Sequence, residues 1–259
     1  AGLAQNPSLA PLSSLANPPY NRLVAYPSGD PDEVEARIRQ LHQLEIIALD
    51  FQGRLKTDRL SILGKGVVGI VVMGLRGNRR VAVKIRRVDA RRASLMHEAE
   101  HLKSANSIGV GPKCLGGTAD VLAMEFVEGL SLPLWLESLK GKGRRARVRH
   151  VVKPLLEQCV RMDAYGLDHG ELSRAHKNVI VSNDDRARIL DFESASVMRR
   201  PSNFTSLTQY LFLGGSIAKK MVRVLGPVNR DELLRCLRDY KAGGWKEAFE
   251  ETNKVLGLQ

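Results

Sequence analysis

A glycine-rich turn and a lysine carry the first chemical signal in this chain. Leu63-Gly64-Lys65-Gly66-Val67-Val68-Gly69-Ile70-Val71 sets the turn between two apolar runs, and Val81-Ala82-Val83-Lys84-Ile85 plants the lysine in the next alternating run. Glycines at such a turn let backbone amides approach a polyphosphate closely, and a lysine on a neighbouring strand can reach its oxygens. A dinucleotide-binding glycine loop would open a helix instead, with an acidic residue about 20 positions on. Here Ile70-Val71-Val72-Met73 continues as a β-type run, and Gly77-Asn78 reads as a tight turn into Arg80–Ile85. The order is strand, glycine loop, strand, hairpin, strand, not βαβ. The plain alternative is a glycine turn in an unrelated β-sheet.

A second constellation lies farther along. Asn178 immediately precedes the short run Val179–Val181, and Asp191 immediately follows Ala187–Leu190, with Asn183-Asp184-Asp185-Arg186 as the turn between the runs. Antiparallel pairing brings Asn178 and Asp191 to the same end of the hairpin. An amide oxygen and a carboxylate converging there suit Mg²⁺, which keeps several waters and uses few protein ligands. The plain alternative is two polar residues capping a hairpin. Upstream stands His169-Gly170-Glu171-Leu172, after an amphipathic helix and a Tyr165-Gly166 turn.

Taken in order, these segments resemble the protein kinase fold, and within it the atypical, compact kinases of the RIO kind, as among archaeal predicted serine/threonine kinases. The glycine loop matches G-x-G-x-x-G-x-V and the lysine strand matches V-A-I-K. Glu98-Ala99-Glu100-His101-Leu102 resembles the E-x-x-x-L helix that follows that strand. Ala123-Met124-Glu125-Phe126-Val127-Glu128-Gly129 resembles the hinge, and His169-Gly170-Glu171-Leu172 resembles the H-G-D-L catalytic loop. Asn178-Val179-Ile180-Val181 and Leu190-Asp191-Phe192-Glu193 resemble N-V-L-L and D-F-G, at the family's usual separation of thirteen residues.

The resemblance implies an α+β, bilobal protein-kinase-like fold, with a small β-rich N-lobe and a reduced helical C-lobe, binding ATP and Mg²⁺ between the lobes. By the same resemblance Gly64, Lys65, Gly66, Gly69 and Val71 of the loop, and Ala82 and Lys84 of the next strand, contact the nucleotide. Glu98 holds Lys84 extended, with Glu100 as the fallback. Met124 stands behind the adenine, and backbone groups of Glu125 and Val127 meet its edge. Asn178 and Asp191 hold the metal, and Glu171 takes the place of the catalytic aspartate.

The chain also departs from the family. Glutamate stands where aspartate is usual at position 171, and its extra methylene displaces the carboxylate by about an ångström, an error that can cost about a hundredfold in rate. Asn178 lies two residues farther from that position than usual, and His176 fills the position where asparagine normally stands, so either is a candidate ligand. Glu193 replaces the glycine of D-F-G. Only 68 residues follow Asp191, with no A-P-E motif and no long activation segment. The primary expectation is an ATP-Mg²⁺-dependent serine/threonine protein kinase acting on itself or on an unknown protein acceptor. The alternatives are an ATPase or pseudokinase with a ribosomal or RNA partner, and a small-molecule kinase.

Bulk properties fit a globular protein with ample core: 259 residues, 43% apolar and 26% charged. No run approaches the roughly 18 apolar residues of a membrane span, and no signal peptide is evident. Cys114, Cys159 and Cys236 are scattered, forming neither a disulfide framework nor a zinc site, which suits a reducing cytoplasm. The net charge of +12 is concentrated in Lys84–Arg92 and Lys140–Arg149. Such a field attracts nucleic acid or acidic proteins; the plain reading is a solvated basic surface. No aromatic residues interleave these clusters, which argues against a single-strand stacking platform.

Composition divides the chain into an irregular N-terminal arm (1–29), an N-terminal helix plus N-lobe (30–128) and a reduced C-lobe (129–259). Asp30, Pro31 and Glu33 form a helix-start pattern before the apolar stripe Val34, Ile38, Leu41 and Leu44. A helix is also expected from Ala90 to Ser107, and another around Val148–Val160 that Pro154 must kink or start late.

Overall fold

The computed structural model describes residues 8–259. They fall into two compact units: the chain up to Lys103 with Pro112–Phe126, and Ser104–Gly111 with Val127–Gln259.

The first unit is an antiparallel sheet with helices. Its strands are β1 (Leu9–Pro11), β2 (Ile46–Asp50), β3 (Leu55–Thr57), β4 (Leu60–Ile62), β5 (Gly64–Lys65), β6 (Gly69–Arg76), β7 (Arg79–Arg86), β8 (Cys114–Gly117) and β9 (Val121–Glu125). The main sheet runs β1-β2-β6-β7-β9-β8, β5 pairs with β6, and β3 and β4 form a separate hairpin. Register pairs Arg76 with Arg79, so Gly77 and Asn78 make a two-residue turn, and Gly77 takes the left-handed φ of +57° that such turns require.

Alternation sorts the sheet into two faces. Ile70, Val72, Val81, Val83, Ile85, Val121 and Ala123 enter the main core of the unit, together with Val34 and Leu41 of α2 (Pro31–Gln43). Val71, Ala82, Lys84 and Met124 take the other face, because Val71 pairs with Lys84 and Ala82 with Met124.

Helix α2 begins where its sequence says. The Asp30 carboxylate accepts from the Glu33 amide at 3.1 Å. Only half of the capping box forms, since the Glu33 carboxylate turns instead to Arg37. Arg37 is fully buried, and its guanidinium donates to the Arg86 carbonyl.

Residues 8–29 correct the expectation of an irregular arm; residues 1–7 of that stretch lie outside the described residues. Strand β1 pairs with β2, and α1 (Tyr20–Val24) follows a 3₁₀ turn. Leu15, Leu23 and Val24 are completely buried, each worth about 1.5–3 kcal/mol. Proline, serine and asparagine gave the stretch a loop-like composition, but those few apolar side chains are enough to anchor it.

Helix α3 (Met96–Ser107) also starts later than expected. The Leu95 amide donates to the Ala119 carbonyl and the Met96 amide to the Ser94 hydroxyl, so tertiary and local bonds hold Ala90–Leu95 out of the helix.

The second unit combines a three-stranded antiparallel sheet, β10 (Gly129–Ser131), β11 (Val179–Ser182) and β12 (Ala187–Ile189), with α4 (Leu132–Ser138), α5 (Arg144–Tyr165), α6 (Asn203–Phe212), α7 (Gly215–Leu225), α8 (Arg230–Ala242) and α9 (Trp245–Val255). Helix α5 runs through Pro154 without interruption and stops at Gly166, whose φ of 87° makes a left-handed C-cap. Its buried face carries Val148, Val151, Val152, Leu155, Leu156, Cys159 and Met162.

Candidate active site

In the first unit the glycine loop is a tight β-hairpin tip. The Gly66 amide donates to the Gly69 carbonyl at 2.8 Å across Val67 and Val68. Val67 is exposed, while Val68 is buried against Leu95, Ala99 and Leu122. The strands on either side bring Gly64, Val71, Lys84 and Leu122 onto one rung. Glycine at position 69 leaves room for its neighbours: a Cβ there would lie 3.0 Å from the Ile85 carbonyl oxygen and from Lys84 Cγ, closer than an ordinary contact. The lysine stem therefore runs directly over Gly69.

The Lys84 ammonium meets both carboxylate oxygens of Glu98, at 2.9 and 2.7 Å, with both side chains buried. Glu100, the fallback, is exposed and lies beside His97. Two residues whose link to the loop the sequence did not mark support it. Arg87 donates to the Gly66 carbonyl, and its amide donates to the Val68 carbonyl. Tyr26 receives a hydrogen bond from Lys65 at 2.5 Å and lies beneath both Lys65 and Arg87. Nothing in the spacing of Tyr26 marked it, because its link to the loop is entirely tertiary.

On the hinge strand, the Glu125 amide donates to the Lys113 carbonyl at 2.9 Å. That donor is spent on Lys113. Val127 begins the second unit.

In the second unit the hairpin pairs Val179 with Ile189, and the Leu190 amide donates to the Asn178 carbonyl. Asn178 and Asp191 accordingly stand at one end of it. Asp191 adopts φ 65° and ψ 72°, a left-handed conformation that costs a non-glycine residue on the order of 1 kcal/mol and concentrates at functional sites. Asn178 is buried and turns its Nδ2 toward Glu171 Oε2 at 3.4 Å, which aims its Oδ1 the other way. A carboxylate plus an amide oxygen is a hard donor set that fits Mg²⁺.

Glu171 is held from a second side. The Ser194 hydroxyl donates to its Oε1 at 2.6 Å. Ser194 is in turn fixed through its carbonyl, which accepts from Arg199, and Arg199 also pairs with Asp168 at 3.0 Å. Gly170 makes this cluster feasible: its φ is 85°, and a Cβ would lie 2.6 Å from the Arg199 guanidinium and 2.8 Å from the Ser194 carbonyl oxygen.

His169 is completely buried, tilts against Phe192, and lies with Nε2 2.9 Å from the Leu190 carbonyl. Burial pushes its pKa down, against weaker upward pulls from that carbonyl and from Asp191, Glu171 and Asp168. It braces the loop as a buried ring. The His169 amide donates to Asn203 Oδ1, and Asn203 with Phe204 and Tyr240 donates to the buried Asp163 carboxylate. Burial raises the pKa of Asp163, partly offset by those donors. Asp163 was a legible but unread signal: an acid four residues after Cys159 on the apolar stripe of α5 needs buried donors. His176, by contrast, is exposed.

A RIO domain matches residues 74–209, just over half of the chain. The chain belongs to the RIO-domain family. Members of this family are atypical ATP-dependent serine/threonine kinases. The match begins after the glycine loop and spans Lys84, Glu98, Glu171, Asn178 and Asp191. An uncharacterized protein of Methanocaldococcus jannaschii is 29% identical over 96 residues, 37% of this chain and 78% of that protein.

The basic clusters fare unequally as interaction surfaces. Arg86 is committed to Asp120 at 2.5 Å and Arg87 to Asp89 at 2.7 Å. Arg147 pairs with Asp185 at 2.6 Å beside Trp135 and holds the Asp185 carboxyl below its usual range. Arg144 and Arg145, at the start of α5, are exposed. No helix among the described residues is long and apolar enough to cross a membrane.

Proposed function

We propose that this RIO-family chain is an ATP- and Mg²⁺-dependent protein kinase that phosphorylates a serine or threonine hydroxyl. The observation that carries the reading is the anchored Glu171: a carboxylate gripped by Ser194 and Asn178, seven residues before one proposed metal ligand and twenty before the other. In this reading Lys84, held extended by Glu98, neutralises phosphate oxygens, and the glycine loop lets backbone amides approach them. Asp191 and Asn178 would hold Mg²⁺, which supplies charge neutralisation at the phosphates. Glu171 accepts the hydrogen bond of the acceptor hydroxyl and orients it, since phosphoryl transfer depends mostly on positioning and charge.

The test is transfer of labelled γ-phosphate, with protein-bound label separated from free phosphate. Asp191→Asn is expected to abolish Mg²⁺-dependent turnover while nucleotide still binds. Turnover that survives Asp191→Asn, or label appearing only as free phosphate across a broad set of protein acceptors, would overturn the reading.

A further inference from the structure

The second unit contains a cavity of about 990 Å³. It shares a single loop with Glu171 and Asn178. Ser173 and His176, both between Glu171 and Asn178, form one wall. That is the stretch in which the chain is two residues longer than the family pattern, so the extension borders the cavity. The cavity is also lined by the start of α7, with Gly214, Gly215 and Ser216, and by Lys220 and Arg230.

The chemistry of that lining is cationic. Lys220 is neutralised by Glu137, but Arg230 is exposed, and its guanidinium donates to the neutral Leu213 carbonyl at 3.1 Å. No side chain caps α7, so the amides of its first turn are spare donors at the positive end of the helix dipole. Nothing lies within 4 Å of where a Cβ would stand on Gly214 or Gly215, so the backbone there is uncovered on that side, and Gly215 holds φ +76°. Tyr210 lines the same cavity, and its buried hydroxyl makes no hydrogen bond.

We propose that this cavity seats the acceptor polypeptide, specifically a segment carrying a carboxylate or phosphate side chain close to the accepting serine or threonine. The acidic group would sit between Arg230 and the first turn of α7, and the loop through Ser173 and His176 would lead the chain toward Glu171. Selection of the acceptor is thereby assigned to the elongated loop after Glu171 and to α7. The proposal rests on the kinase reading for its purpose, though not for its binding chemistry.

The experiment titrates a fluorescent peptide bearing one serine flanked by aspartates, and a twin flanked by lysines, with the full chain and with Arg230→Glu and Ser216→Glu. Both substituted residues are exposed, and fluorescence anisotropy needs no nucleotide. The acidic peptide is expected to bind, the lysine twin not to, and each variant to weaken binding at least about tenfold. Equal affinity for the two peptides, or acidic-peptide binding unmoved by both variants, would overturn the proposal. So would failure of the acidic peptide to bind, whether or not the cavity instead takes polyuridine in a manner lost in Arg230→Glu. Peptide binding without phosphate transfer would sink the kinase reading and leave the cavity assignment standing; transfer without acidic preference would do the reverse.

Discussion

Lys84→Met separates two roles that one lysine can play. Lys84 is 5% exposed and so is Glu98, and the ammonium sits 2.7 and 2.9 Å from the two carboxylate oxygens. Methionine keeps the stem that packs over Gly69 and removes the charge. The Glu98 carboxylate then stays buried without its ammonium, which costs about 3–5 kcal/mol. At roughly 2–4 °C per kcal/mol for a chain of this size class, the melting temperature should fall by roughly 6–20 °C. Adding Glu98→Gln removes the stranded charge, and neutral replacement of a whole buried pair is often close to neutral, so the double variant should regain most of that loss. Nucleotide affinity should behave differently. A charge-assisted contact to phosphate is worth about 1.5–3 kcal/mol, or about ten- to a hundredfold, and neither variant restores it. Thermal melts beside titration with a fluorescent ATP analogue read both quantities. A double variant that binds nucleotide like the wild type would show that Lys84 is only a structural partner of Glu98. A Lys84→Met protein that melts like the wild type would refute the buried-pair energetics themselves.

Gly170→Ala should lower turnover more than nucleotide affinity, because its Cβ would displace the Arg199 guanidinium and the Ser194 carbonyl that fix the clamp on Glu171; unchanged steady-state kinetics would remove Ser194 from the site. Glu171→Gln keeps shape and loses charge, so turnover should drop by roughly tenfold or more with little change in ATP affinity; full activity would move the role to another residue, with His176 next. The buried His169 has a folded pKa below its unfolded value, so the unfolded chain takes up more protons as the solution becomes acidic. Stability should be intact above about pH 6.5 and fall by at most about 1.4 kcal/mol per pH unit as the pH drops from there to the lower folded pKa, where the loss levels off. Chemical denaturation across that range would measure the slope, and an identical slope in His169→Gln would assign it to another group.

What the sequence could say depended on how local the cause was. Glycine loop, lysine strand and hairpin could be read directly because a two-residue alternation and a turn between paired runs fix which side chains share a face; Val71, Ala82, Lys84 and Met124 follow from register alone. The start of α2 was legible for the same reason, since Asp30 and the Glu33 amide are three residues apart. Residues 8–29 were misread because a handful of buried leucines and valines outweigh a composition dominated by turn formers. The supports of the site were hidden for a different reason. Tyr26 under Lys65 and Asn203 on the His169 amide are contacts across 39 and 34 positions, and no periodicity reports on such separations.

Glu171 shows how far such long-range supports alter a judgement made from spacing. By motif alone, glutamate in place of aspartate is an error of about an ångström, and errors of that size can cost about a hundredfold. That arithmetic assumes a backbone held where an aspartate would need it. Here the residues after Glu171 form a 3₁₀ turn, Leu172–Arg174, within the stretch that carries the two extra positions. The carboxylate at the end of the longer side chain meets a serine donor at 2.6 Å on one oxygen and an asparagine donor at 3.4 Å on the other. The longer side chain, carried on the longer loop, thus meets a serine three residues past Asp191. Glu171→Asp, which restores the family's usual residue, should consequently reduce turnover, because the shortened carboxylate withdraws from Ser194 while the loop stays long. An increase in turnover on that substitution would show that the glutamate is the defect its motif suggests.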